Sequence, residues 1–218
     1  MGDVIRLSER REALRWRGPT RGRARSRAEY YFDLACPFTY LAAERVERSF
    51  DDVLWRPASS EALRRSSLAD DDVCTAAMRR AAEERAAALR LPLVWPERFP
   101  DAVPSAMRVA ALAAERGRGA AFVLAATRLA FCGGFDLDDP EILAEAAAAA
   151  GVVLGDALRA AREAGRDGAI ADAGRALVAA GADRLPALRV ARALYWGEER
   201  VGEALVAARF ARATAAIR

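Results

Sequence analysis

Cys36 is the residue in this chain whose type and position best fit chemistry. It follows the aromatic run Glu29-Tyr30-Tyr31-Phe32-Asp33-Leu34 and directly precedes Pro37. The run reads as a short strand ended by a turn. Pro37 reads as the first residue of a helix, because Phe38, Leu41, Ala42, Val46 and Phe50 recur behind it at helical spacing. Cys36 thus falls at the helix N-cap, where free backbone N–H groups and the positive end of the macrodipole favour an anion. A thiolate is such an anion, so this position predicts a lowered thiol pKa. Thr39, in the first turn, can aim its hydroxyl at the sulfur of Cys36 or of a bound thiol. A small buried cysteine with no chemical role fits the same position equally well.

The rest of the composition narrows the chemistry. The 218 residues include no His, Lys, Asn or Gln, so all 34 basic residues are Arg. That excludes Ser-His-Asp and Cys-His pairs, His-bearing zinc sites, lysine Schiff bases, a P-loop lysine and side-chain amide oxyanion donors. Cys, Ser, Thr, Tyr, carboxylates, Arg and the backbone remain. Cys36, Cys74 and Cys132 make an odd, sparse set. Reduced thiols are expected rather than a disulfide framework, which suits a reducing compartment. Cys74 reads as a helix-packing residue and Cys132 as a helix end, with a remote resolving thiol as the rarer reading of either. Asp136, Asp138, Asp139 and Glu141 offer oxygen donors for a hard cation. Capping by Asp138 or Asp139 of a helix opened by Pro140 accounts for them better, and no metal is expected.

Further elements must position Cys36. Val53-Leu54-Trp55-Arg56-Pro57 reads as a second strand, parallel to the first across the intervening helix. From about Ser60 to Gly165 the pattern is helical, interrupted by the proline-rich crossing Leu91–Pro100. Another helix ends at Gly181. After it come Leu185-Pro186, the strands Ala187–Val190 and Ala193–Trp196, and a last helix from about Glu199. This β-α-β … β-β-α order predicts an α/β thioredoxin-like fold with a large all-helical insertion. The expected divisions are a basic N-terminal arm over 1–28, a thioredoxin-like domain over 29–60 and 165–218, and a helical insertion over 61–164. In the arm, nine Arg face Asp3, Glu9 and Glu12, a local charge of +6 against +3 for the whole chain. Ser8 can cap a short helix there, running to about Arg17. A solvated arm is expected, and nucleic-acid binding by it is not. No apolar run is long enough to span a bilayer or to act as a signal peptide, so a cytoplasmic protein without membrane partners is expected.

The segment Tyr31-Phe32-Asp33-Leu34-Ala35-Cys36-Pro37-Phe38-Thr39-Tyr40-Leu41-Ala42 resembles the active-site turn of the DsbA-like thioredoxin superfamily. Thr39 stands where that turn has its second cysteine. The segment is closer to 2-hydroxychromene-2-carboxylate isomerases and kappa-class glutathione transferases, with Cys36 at the serine that holds the glutathione sulfur. Other stretches resemble the same families in order: Trp55-Arg56-Pro57, Trp95-Pro96 to Phe99-Pro100, Ala106-Met107-Arg108, Phe131 to Pro140, Gly181 to Pro186, and Tyr195 to Arg200. The resemblance runs from about Glu29 to the C-terminus.

The resemblance implies a DsbA/kappa-type fold with a cis peptide before Pro186, beside Cys36. It implies a glutathione-dependent isomerase or transferase, with glutathione or another low-molecular-weight thiol as cosubstrate and a possible homodimer as the assembly. Cys36 and Thr39 are the candidate catalytic residues. Pro37, Phe38, Leu185, Pro186, Glu198 and Glu199 are the candidates for holding the thiol, the two glutamates through its ammonium group. The families' asparagine and lysine are absent, and Arg56, Arg98 and Arg108 are candidates to replace the lysine. A DsbA-family monothiol oxidoreductase and a catalytically degenerate binding protein are the alternatives. The missing Cys-x-x-Cys argues against dithiol oxidation, since no adjacent thiol can resolve a mixed disulfide.

Overall fold

The computed structural model describes residues 27–64 and 71–216. The basic arm before Arg27, with its expected Ser8–Arg17 helix, lies outside them. Strand β1 (Ala28–Phe32) turns Tyr30 and Phe32 into the main core, where both are fully buried. Helix α1 (Pro37–Ser49) follows at once, with Pro37 at its start and Cys36 as an extended N-cap residue. Its Leu41, Ala42 and Val46 are buried in the same core. Strand β2 (Val53–Pro57) then pairs in parallel with β1, opposing Trp55 to Tyr30. Their rings meet edge to face at 4.8 Å, an arrangement the ring quadrupoles favour.

The helical part runs through α2 (Glu61–Arg64), α3 (Asp71–Leu89), α4 (Pro104–Glu115), α5 (Gly119–Phe131), α6 (Pro140–Ala149) and α7 (Leu154–Arg162). Phe122 and Phe131 of α5 pack into the same buried cluster as Tyr30 and Phe32. The Leu91–Pro100 crossing is irregular, as its prolines require. Asp139 caps α6 by accepting from the Glu141 N–H at 2.8 Å. Asp138 caps a different helix: its Oδ1 accepts from the N–H groups of Ser105 and Ala106 at the start of α4.

Helix α8 (Asp167–Ala179) returns the chain to the sheet, and β3 (Ala187–Val190), β4 (Ala193–Trp196) and α9 (Val201–Ala216) complete it. The sheet order is β2-β1-β3-β4, with β3 antiparallel to both neighbours. This is the thioredoxin-like order with a helical insertion that the β-α-β … β-β-α pattern predicts. A smaller apolar cluster covers the opposite face, formed by Tyr31, Ala58, Leu63, Leu177, Leu185 and Ala187, and Cys36 packs against it. Gly174 lets α8 approach closely, because a side chain there would meet the Ser59 carbonyl oxygen at 2.3 Å. Ser59 in turn donates its N–H to Ile170 of α8.

Candidate active site

The β1–α1 turn is organised by the buried carboxylate of Asp33. One oxygen accepts from the Ala35 N–H at 3.0 Å and the other from the Ser60 N–H at 2.8 Å. The Asp33 carbonyl accepts from the Cys36 N–H at 3.1 Å, and the Asp33 N–H points to the Thr39 hydroxyl at 3.4 Å. Thr39 is fully buried. Its carbonyl accepts from the Tyr30 hydroxyl at 3.2 Å, which ties the first turn of α1 to β1. These bonds fix the direction in which Cys36 leaves the backbone.

Cys36 points across to the loop before β3. Its sulfur is 3.5 Å from the Leu185 carbonyl oxygen and donates to it. The Leu185–Pro186 peptide is cis, as the resemblance implies, and the Pro186 carbonyl is held by the Gly197 N–H at 2.8 Å. Gly197 has φ +94°, a left-handed conformation that glycine adopts without a Cβ clash. Among the described residues the Leu185 N–H has no hydrogen-bond partner. Cys36, Phe38 and Leu185 face a cavity of about 640 Å³, whose other walls include Leu63, Cys74, Met78 and Arg184. Pro37 and Pro186, expected to help hold the thiol, are not among the residues that line it.

The Cys36 thiol does not have the lowered pKa predicted from its N-cap position. It is pushed up to about 11, first by burial against the smaller apolar cluster and then by the Asp33 carboxylate. The N–H groups of Thr39 and Phe38 and the Thr39 hydroxyl act in the opposite direction and do not win. A helix terminus favours an anion it faces, but removing a thiolate from water costs more here. Cys36 is therefore a neutral thiol at physiological pH and a hydrogen-bond donor.

The glutamates expected to hold an ammonium group are placed differently. Glu198 is buried and ion-paired with Arg45 of α1 and Arg85 of α3, the latter at 2.6 Å. Its carboxylate is fully engaged and does not line the Cys36 cavity. Glu199 is exposed and lies 3.8 Å from Arg184. The arginines considered as lysine replacements are engaged elsewhere: Arg56 with Glu29, Arg98 with Asp101 and Asp136, and Arg108 with Asp167 through two nitrogens. Among the described residues, Arg184 is the arginine that lines the cavity, and its place one residue before Leu185-Pro186 was the available signal.

The remaining cysteines separate. Cys132 donates to the Tyr40 hydroxyl at 3.1 Å, and that hydroxyl donates to the Pro92 carbonyl. Cys74 lies on α3 and, with Thr75 and Met78, faces the same cavity as Cys36. It is thus a cavity residue and not only a packing residue; its i, i+4 spacing with Met78 on an Ala-rich helix marks that face. Pro100, which follows a second cis peptide, also lines this cavity. None of the three cysteines is in a disulfide. Another cavity, of about 560 Å³, borders β2, but charges along it are already matched, Arg27 by Asp52 and Arg166 by Glu115.

The family model for the DSBA-like thioredoxin domain matches residues 28–206. The chain belongs to that family. No curated protein matches the sequence. Several solved structures share the DSBA-like architecture. A 2-hydroxychromene-2-carboxylate isomerase matches with TM-score 0.72 at 15% identity, over 88% of this chain and 98% of its own. A probable DsbA oxidoreductase from Streptomyces coelicolor matches with TM-score 0.64 at 22% identity, over 86% and 90%. The cytosolic disulfide reductase DsbM from Pseudomonas aeruginosa, solved with GSH, matches with TM-score 0.58 at 19% identity, over 86% and 98%. At these identities the likeness speaks for the shared fold alone. Among the described residues no helix is long and apolar enough to cross a membrane, and no cluster of three or more His, Cys, Asp or Glu side chains is suited to a metal ion.

Proposed function

We propose that this DSBA-like protein is a thiol-dependent isomerase or transferase. It uses glutathione or another low-molecular-weight thiol as cosubstrate, in the manner of the 2-hydroxychromene-2-carboxylate isomerases. The observation that carries this reading is the Cys36 thiol donating to the Leu185 carbonyl beside the cis peptide at the wall of an open cavity, where burial disfavours the thiolate. A neutral S–H is a donor, the role that a serine hydroxyl has at this position in the families the sequence resembles. A disulfide oxidoreductase needs the thiolate of this residue instead, and burial disfavours it.

The chain's own groups fit a bound thiol. Cys36 turns its S–H from Leu185 to the incoming sulfur, while the N–H groups of Phe38 and Thr39 add positive potential at the helix start. The free Leu185 N–H and its carbonyl offer edge-strand pairing to the backbone of a peptide-like thiol. The apolar side chains of Phe38, Leu63 and Met78 exclude water from the partner molecule. The bound thiol supplies reversible addition to an electron-poor double bond, so that the bond rotates and the thiol leaves unchanged.

Cys36→Ser and Cys36→Ala test this reading in a glutathione-dependent isomerisation of a conjugated enone acid, followed by absorbance. Serine keeps the donor, so its rate stays within about tenfold of the parent. Alanine removes the donor and loses on the order of a hundredfold. Loss of all turnover in Cys36→Ser, with a mixed disulfide formed at Cys36 in the parent, overturns the proposal in favour of the monothiol oxidoreductase.

A further inference from the structure

A second thiol shares the cavity of Cys36. Cys36 faces it from the start of α1, and Cys74 faces it from the first turn of α3, beside Thr75 and Met78. Cys132 is engaged elsewhere, its thiol donating to the Tyr40 hydroxyl at 3.1 Å. Helices α1 and α3 pack on each other, and Glu198 bridges Arg45 of the first to Arg85 of the second. Arg79 of α3 is anchored too, over the Trp95 and Phe99 rings and on the Phe99 carbonyl at 3.3 Å. Arg79 and Arg85 lie about one and about three helical turns beyond Cys74. The end of α3 that carries Cys74 can therefore shift toward α1 across the open cavity while these anchors hold.

We propose that Cys36 and Cys74 form a cross-cavity dithiol, which a low-molecular-weight disulfide oxidises to an internal Cys36–Cys74 bond. This goes beyond the thiol-dependent reading and gives the same cavity a modification that closes it. The reaction consists of two exchanges. Cys74 attacks as a thiolate, breaks the S–S bond of the small disulfide and becomes a mixed disulfide. The proton it gave up goes to the thiolate released. Cys36 then displaces the remaining small thiol from Cys74, and its own proton goes to that second leaving group. The two cysteines are oxidised, and the small disulfide is reduced to two thiols. Cys74 acts first because burial disfavours the Cys36 thiolate. The second exchange is intramolecular, where a high effective concentration offsets a small thiolate fraction. A disulfide holds its two Cα atoms about 4.4–6.8 Å apart. The bond thus keeps the α3 wall on α1 and removes the S–H that Cys36 donates to Leu185.

The test incubates the reduced chain with bis(2-hydroxyethyl) disulfide, a neutral probe indifferent to Glu61, Asp183 and Arg184 at the cavity. Intact mass and peptide mapping follow the products. The parent is expected to lose two hydrogens, to carry no adduct and to join Cys36 to Cys74. Cys132→Ser behaves alike. Cys36→Ser stops with one mercaptoethanol on Cys74. Cys74→Ser takes up an adduct on Cys36 at least about tenfold more slowly than the parent reacts, because little of that thiol is ionised. A parent that stays reduced, keeps an adduct or joins either cysteine to Cys132 overturns the proposal. So does a Cys74→Ser chain that reacts on Cys36 at the parent's rate. The parent's own product decides the matter, so the result depends neither on how the variants fold nor on turnover.

Discussion

On one side of the cavity, Cys36 and Leu185 belong to a closely bonded framework. Asp33 joins the β1–α1 turn to Ser60, Tyr30 holds Thr39, and Gly197 holds Pro186. On the other side, Cys74, Thr75 and Met78 sit on α3, where Ala82 and Ala86 are the buried side chains among those described. The first wall holds a donor in one direction, which positioning of a reacting sulfur requires. The second has few buried side chains among those described, so local opening is expected there at lower free-energy cost. Under the proposed function, the difference would put the chemistry at the α1 wall and the fit of the partner molecule at the α3 wall.

The strongest way to break this comparison is to cut the tie between the walls. Glu198 joins Arg45 of α1 to Arg85 of α3. Glu198→Ala leaves two guanidinium groups facing each other without their carboxylate. It is expected to cost about 3 kcal/mol, at the low end for losing one partner of a buried pair because both arginines are partly exposed. Urea unfolding measures the loss, and Tm falls by about 6–12 °C for a chain of this size. Hydrogen exchange should rise more in α3 than in β1. Unchanged stability would show that α3 is held by other contacts and that the two walls are one unit.

The two sides also differed in how far the sequence revealed them. The strand, Cys36, Pro37 and the cis Leu185–Pro186 loop were legible because each has a local signature: an aromatic run, a proline at N1, and a proline opening a strand after a glycine-ended helix. The direction of the Cys36 pKa was not legible. The helix terminus is a local feature, but desolvation comes from Tyr31, Leu63 and Leu185, which only the folded chain brings to one cluster with the cysteine. Glu198 and Glu199 are adjacent in sequence, yet a 3₁₀ turn over Glu198–Arg200 sends one into the interior and the other to the surface. Cys74 and Met78 share a helix face whose orientation is set by the tie to Glu198, a tertiary contact across 113 residues.

The raised Cys36 pKa gives the next test. A shift from 9.0 to about 11 leaves about a hundredfold less thiolate at neutral pH than in an unperturbed cysteine. Iodoacetamide labelling of Cys36, followed by mass spectrometry in the Cys74→Ala, Cys132→Ala background, should be slower by that factor and rise with pH up to about 11. The folded pKa lies above the unfolded one. The preference for the protonated form therefore contributes stability that is fully present below pH about 9 and is lost as pH rises through about 11. Asp33→Asn removes the carboxylate that helps raise the pKa, so the labelling profile moves to lower pH. A labelling midpoint below 9 in the parent would restore Cys36 as a nucleophile and erase the contrast between a donor wall and a fitting wall.

The smallest effect sharpens the comparison from the α3 side. Met78 is half-buried on the cavity wall. Its truncation to Ala leaves the β1–α1 turn untouched, and a cavity already open to solvent adds little void to the interior. A stability change of about 1 kcal/mol or less is expected, below the range for fully buried methionines. The thioether's contact with an apolar electrophile is lost in ground and transition states alike, so KM rises a few-fold while kcat holds. A fall in kcat at constant KM would place Met78 among the groups that act in the transition state. The flexible wall would then carry chemistry as well as fit, since a side chain on a loosely packed helix can change kcat only if closure of α3 accompanies the reaction.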